Sequence, residues 1–143
     1  MRERLLQDTN PILMEGLHST ALLSDPAFVS RKIVVRTHNV EHDYYEHLAN
    51  VEKKLLKRIY LRWESRRLRR YESVLTSAHA IAAISPEDQR HFASIHPRSF
   101  YLPAFHPFDH LTISESIEDF AFYHGNLAVG ENNESALFLV EKV

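Results

Sequence analysis

The stretch Ile33-Val34-Val35-Arg36-Thr37-His38-Asn39-Val40-Glu41-His42 decides how the rest of the chain is read. Its first half is rich in β-branched residues and too short for a helix, which predicts a buried strand over Lys32 to Thr37. Its second half turns polar at once, so that strand delivers His38, Asn39 and Glu41 at its carboxyl end. In open α/β sheets that edge is where ligands bind.

Working outward, strands and helices alternate, the pattern of a parallel sheet with crossover connections. Upstream, the residues from Arg2 to Gln7 read as the end of a helix, Pro11 to Glu15 as a short strand and Ser19 to Leu23 as a helical piece. Downstream, helices are expected over about Val40 to Ala49 and Val51 to Ser77, then a buried strand at Ala80-Ile81-Ala82-Ala83-Ile84. Ser85 followed by Pro86 is a good helix start, because a hydroxyl caps free N–H groups and proline fits the first helical position. A fourth strand is expected at Ser99 to Leu102, stopped by Pro103, and a fifth at Phe120 to His124, running into a turn at Gly125-Asn126 and a helix from about Asn132. The segment 105–119 reads as a linker. The fold class is therefore α/β, a partial Rossmann-like parallel sheet with crossover helices.

Composition excludes several function classes. With no cysteine among 143 residues there is no disulfide, thiolate nucleophile or cysteine zinc site. No apolar run approaches the roughly 20 residues of a membrane span, and the charged start has no signal-peptide core; the expected location is cytoplasmic. Three glycines stand where an average near 7% predicts about ten. Neither G-x-G-x-x-G nor G-x-x-x-x-G-K-[ST] occurs, which removes the usual dinucleotide and P-loop arguments. A net charge of −2 argues against a dedicated nucleic-acid binder.

The charge is unevenly placed, however. From Glu52 to Glu72 there are nine basic and three acidic residues, a local net of +6; from Asp109 onward there are seven acidic residues and one Lys, a net of −6. Within the basic segment Val51, Leu55, Leu56, Ile59 and Trp63 share one helical face, and Leu68, Tyr71, Val74, Leu75 and Ala78 share another about a quarter turn away. This predicts a kink near Glu64-Ser65 or a change of neighbour. The basic side chains from Lys53 to Arg70 lie opposite these stripes, either as a solvated face or as a surface for anionic lipid at the inner face of a membrane.

The strand mouths, taken in order, read Glu15-Gly16-Leu17-His18, Arg36-Thr37-His38-Asn39, Ala83-Ile84-Ser85-Pro86-Glu87-Asp88, Tyr101-Leu102-Pro103 and Tyr123-His124-Gly125-Asn126-Leu127. In that order and spacing the chain resembles bacterial family 4 glycosyltransferases with the GT-B fold. The resemblance implies a piece of a larger two-domain enzyme: 1–104 the second half of the N-terminal, acceptor-side domain, 105–119 a linker, and 120–143 the first strand and helix of the donor-side domain. It implies a retaining, hexosyltransferase-like reaction of polysaccharide biosynthesis, moving a sugar from a nucleotide-sugar to a glycan or lipid-linked acceptor. No cofactor or metal is then expected, and the piece alone is expected to be inactive.

By the same resemblance His38 is the catalytic residue, where imidazole can donate to a developing anionic oxygen or accept from a sugar hydroxyl. Glu15, His18, Asn39, Glu41 and Ser85 are the implied substrate contacts, and Gly125 and Asn126 the implied donor-phosphate contacts. The chain departs from the family pattern after Gly125: Asn126 and Glu131-Asn132-Asn133 stand where Arg and Lys are common.

Two other readings remain open. The run His38-Asn39-Val40-Glu41-His42 spells H-x-x-E-H, the inverted zinc-peptidase motif, which would make the chain a hydrolase using His38, Glu41 and His42. That chemistry needs both histidines on one continuous helix, whereas His38 is expected at the end of a strand. The chain could instead be a non-catalytic interaction or assembly module, with exposed sheet edges favouring a homo-oligomer.

Overall fold

The computed structural model describes residues 2–105, 110, 120, 122–128 and 130–142. The chain divides into two compact units, Met1–His106 and Pro107–Val143.

In the first unit, strands β1 (Ile12–Glu15), β2 (Ile33–Thr37), β3 (Ala80–Ala83) and β4 (Ser99–Tyr101) form one sheet. Its order is β1-β2-β3-β4 and every pairing is parallel. Met14, Val35, Ile81 and Ser99 lie in one row across it. The expected α/β class and the strand-helix alternation are therefore present in the structure.

Burial along β2 alternates, with Ile33, Val35 and Thr37 buried and Val34 and Arg36 half-buried, while every residue of β3 is buried. Thus β2 is covered fully on one face only. Arg36 explains the other face: a guanidinium must keep either water or a counter-charge, and Glu15, its register partner on β1, stands 3.6 Å away.

The core gathers Met14, Ile33, Val35, Ile81 and Ala83 from the strands with Leu17, Leu23, Phe28, Leu75 and Phe92 from the crossovers. Side chains as fully buried as Val35, Ile81 and Leu75 each contribute about 1.5–3 kcal/mol. The connection from β1 to β2 consists of 3-10 turns at Leu17–Ser24 and Pro26–Phe28, where a helical piece was expected at Ser19 to Leu23. Asp25 caps the second of these turns by accepting the Ala27 N–H at 3.0 Å.

Helix α1 (Arg2–Leu5) precedes β1 within the segment 2–7 expected to be helical, and helices α2 (Glu41–Val51) and α3 (Leu55–Tyr71), then a 3-10 segment at Glu72–Ser77, connect β2 to β3. The long helix expected from Val51 to Ser77 is thus shorter at both ends. Glu52 makes the break: its carboxylate accepts the Lys54 N–H at 2.9 Å and pairs with Lys57 at 2.6 Å, contacts that hold it below the usual carboxylate range, Lys57 first. α3 runs unbroken through Glu64 and Ser65, so the two apolar stripes mark a change of surroundings rather than a kink.

The face of α3 that the fold covers is Leu61, Ser65 and, in part, Leu68, leading to buried Glu72 and Leu75. Val51, Leu55, Leu56, Ile59 and Trp63 are all exposed, so the first apolar stripe does not enter the core. α2 and α3 pack along each other. Burial pushes the Tyr45 phenol on α2 above its ordinary range, helped by nearby Tyr60 and Glu41.

Helix α4 (Pro86–Ala93) connects β3 to β4 and starts as expected, with the Ser85 hydroxyl accepting the Asp88 N–H at 3.0 Å. The second unit carries α5 (Gly130–Lys142). Its approach is fixed by the Tyr123 hydroxyl donating to the Asn132 carbonyl at 2.9 Å. The strand expected at Phe120 to His124 is not formed by residues 120 and 122–124. A strand needs a neighbour for its N–H and C=O groups, and no strand occurs among the described residues of this unit. The linker expected at 105–119 lies outside the described residues except for positions 105 and 110. No described helix is long and apolar enough to cross a membrane.

Candidate functional site

The carboxyl edge of β1 and β2 carries the polar cluster that the strand pattern predicts. Glu15 closes β1, and the parallel register sets it level with Arg36. His38 leaves β2 two residues later and turns back, so that its Nε2 lies 2.9 Å from Glu15 Oε2. Both side chains are 45% exposed, which leaves the pair accessible to a ligand. The Arg36 guanidinium flanks Glu15 and lies under the Phe105 ring, 5.3 Å from its centre. One carboxylate therefore faces an imidazole and a guanidinium. Imidazole held in this way keeps its other nitrogen free to donate or accept at the sheet edge.

Gly16 makes the turn out of β1 possible. Its φ of 76° lies in the left-handed region that favours glycine, and a Cβ there would meet His18 Cε1 at 2.7 Å. His18 therefore packs its ring against Gly16 while remaining exposed. Glu15, His18 and His38 are brought to one edge.

The other expected contacts are distributed differently. Asn39 lines an open cleft of about 560 Å³, together with Asp43, Tyr44 and His47 of α2 and Glu87, Asp88 and His91 of α4. Glu41 opens α2. The Ser85 hydroxyl is engaged in capping α4. In the second unit the Asn126 side chain accepts the Ala128 N–H at 3.1 Å, and Gly125 lies against the Tyr123 ring. These contacts hold their own turn together.

A second histidine-carboxylate cluster stands behind the cleft. His42 in the first turn of α2, Glu72 just after α3 and His91 on α4 bring one ligating atom each within 4.8 Å of the others. Glu72 Oε2 lies 2.8 Å from His91 Nε2, and Glu72 Oε1 lies 3.4 Å from His42 Nδ1. The side chains of His42 and Glu72 are 3% and 6% exposed. Sequence reasoning did not find Glu72 or His91. One of three acids in a strongly basic segment reads as a surface counter-charge, and only the packing of α2, α3 and α4 makes it a buried carboxylate.

The H-x-x-E-H run is divided by this geometry. His38 turns to Glu15, whereas His42 turns to Glu72 and His91. The hydrolase arrangement of His38, Glu41 and His42 on one helix is not formed, because His38 precedes the helix start at Glu41. No protein-family model, curated protein or solved structure matches the chain.

Proposed function

We propose that the chain forms the acceptor side of a retaining sugar-transfer site, using a nucleotide-sugar as donor and a glycan or glycolipid as acceptor. The observation that carries this reading is the half-exposed Glu15–His38 pair at the carboxyl edge of a parallel sheet. Such an edge is where α/β folds bind ligands. The pair can accept hydrogen bonds from sugar hydroxyls and donate to an oxygen that gains charge. The adjoining cleft, with Asn39, Asp43, Tyr44, Glu87 and Asp88, offers the carboxylate, amide and phenol groups that suit a polyhydroxylated ligand.

The test is sugar binding and transfer. Saturation-transfer NMR on the full chain should show a neutral oligosaccharide contacting the cleft, weakened about tenfold by Glu15→Gln. Where the chain is joined to a donor-binding domain, His38→Ala should lower transfer by about 10²-fold or more. Wild-type turnover in His38→Ala, or no saturable sugar binding, refutes the reading.

A specific observation favours a membrane-facing partner for α3. Leu55, Leu56, Ile59 and Trp63 are exposed beside Lys53, Lys54, Lys57 and Arg62, and the Arg67 guanidinium covers the Trp63 ring at 4.6 Å. Apolar side chains rimmed by cations fit the interface of anionic lipid, where each nearby base is worth about 1 kcal/mol. Co-sedimentation with phosphatidylglycerol vesicles should fall with salt and with Trp63→Ala. Equal recovery on neutral and anionic vesicles refutes it.

A further inference from the structure

The geometry points to a divalent transition-metal site at His42, Glu72 and His91, with Zn²⁺ the ion it suits, separate from the Glu15–His38 edge and independent of the sugar-transfer reading. Two imidazoles and one carboxylate are ligands that Zn²⁺ accepts, and the chain has no thiolate to compete with them. Zinc bonds of about 2.0–2.1 Å in a tetrahedron put neighbouring ligand atoms about 3.4 Å apart. His42 Nδ1 and Glu72 Oε1 stand at 3.4 Å.

That pair is otherwise hard to explain. Both atoms are buried and neither makes a hydrogen bond among the described residues, although burying a polar group without a partner is costly. An ion between them would satisfy both at once. Small rotations of the half-buried His91 ring would add its Nε2 as the third ligand, since all three ligating atoms already lie within 4.8 Å.

The fourth position would open toward the cleft, which His91 and Asp43 line. Asp43 Oδ1 lies 3.2 Å from His42 Nε2, the ring nitrogen away from Glu72. A carboxylate there orients a metal-binding imidazole, the usual outer partner of a zinc histidine. The ligands come from the start of α2, the 3-10 segment that follows α3, and α4, so a bound ion would tie two crossover connections together.

The test is calorimetric titration of ZnCl₂ into the full chain after treatment with a chelator. The expected result is saturable binding of one ion per chain and a Zn²⁺-dependent rise in Tm. His91→Ala, at the half-exposed corner, should weaken binding by at least about tenfold, while His38→Ala should leave the metal affinity unchanged. Should His91→Ala misfold, the visible absorption of Co²⁺ bound to the wild type decides instead: the intense bands of a four-coordinate ion are expected. No saturable binding, undiminished affinity in folded His91→Ala, or a Co²⁺ spectrum of the weak hexa-aquo type overturns the proposal.

Discussion

Two histidine-carboxylate contacts begin four residues apart in the chain, at His38 and His42, and the fold gives them opposite surroundings. Glu15–His38 sits half-exposed at a sheet edge with Arg36 beside it. His42–Glu72–His91 is enclosed by three helical elements, with two of its polar atoms making no hydrogen bond among the described residues. The difference comes from the β2–α2 boundary. A residue ending a strand looks along the sheet edge, whereas one in the first turn of the next helix looks back into the layer behind. An open pair is free to meet a ligand and adds little stability; a buried one is bound into the packing and is costly to break.

That contrast can be broken most forcefully from the buried side. In metal-free protein Glu72→Ala should destabilise the fold by about 3 kcal/mol, because it removes the carboxylate facing two imidazoles and leaves a void. Urea unfolding should show a lower midpoint at unchanged slope. A loss under about 1 kcal/mol would mean that Glu72 is no more constrained than Glu15.

Next in size is Gly16→Ala, expected to cost about 1–3 kcal/mol, since alanine must adopt a positive φ and displace the His18 ring. This variant sharpens the comparison by altering the exit from β1 without touching the buried cluster. Stability equal to wild type would show that the turn is not held in this conformation.

The smallest effect is expected for Glu15→Gln. The pair with His38 is half-exposed, so the stability change should stay below about 1 kcal/mol while sugar binding weakens. A large loss of stability with intact binding would assign Glu15 to the framework instead of the site.

The sheet was legible because its signals are local. The apolar run Ile33-Val34-Val35, the alanine-rich strand at Ala80–Ala83 and the Ser85-Pro86 helix start each constrain their own backbone, and each forms where the pattern places it. Glu15 and His38 were legible for the same reason, as residues at strand ends.

What depended on packing was not legible. The stripe Val51, Leu55, Leu56, Ile59 and Trp63 has the spacing of a core face, yet α3 turns Leu61 and Ser65 inward. Periodicity identifies a stripe but not what covers it. Glu72 and His91 were equally hidden, because their meeting depends on how two separate crossovers stack. The expected strand at Phe120 to His124 shows the reverse among its described residues: their types suit a strand, but pairing requires a neighbour.

The division of the H-x-x-E-H run into two sites is tested most directly by side-chain ¹⁵N NMR of the histidines during titration of the full chain with Zn²⁺. The account predicts that His42 and His91 shift together and saturate with one ion while His38 keeps its signal. Joint shifts of His38 and His42, with His91 unmoved, would contradict it.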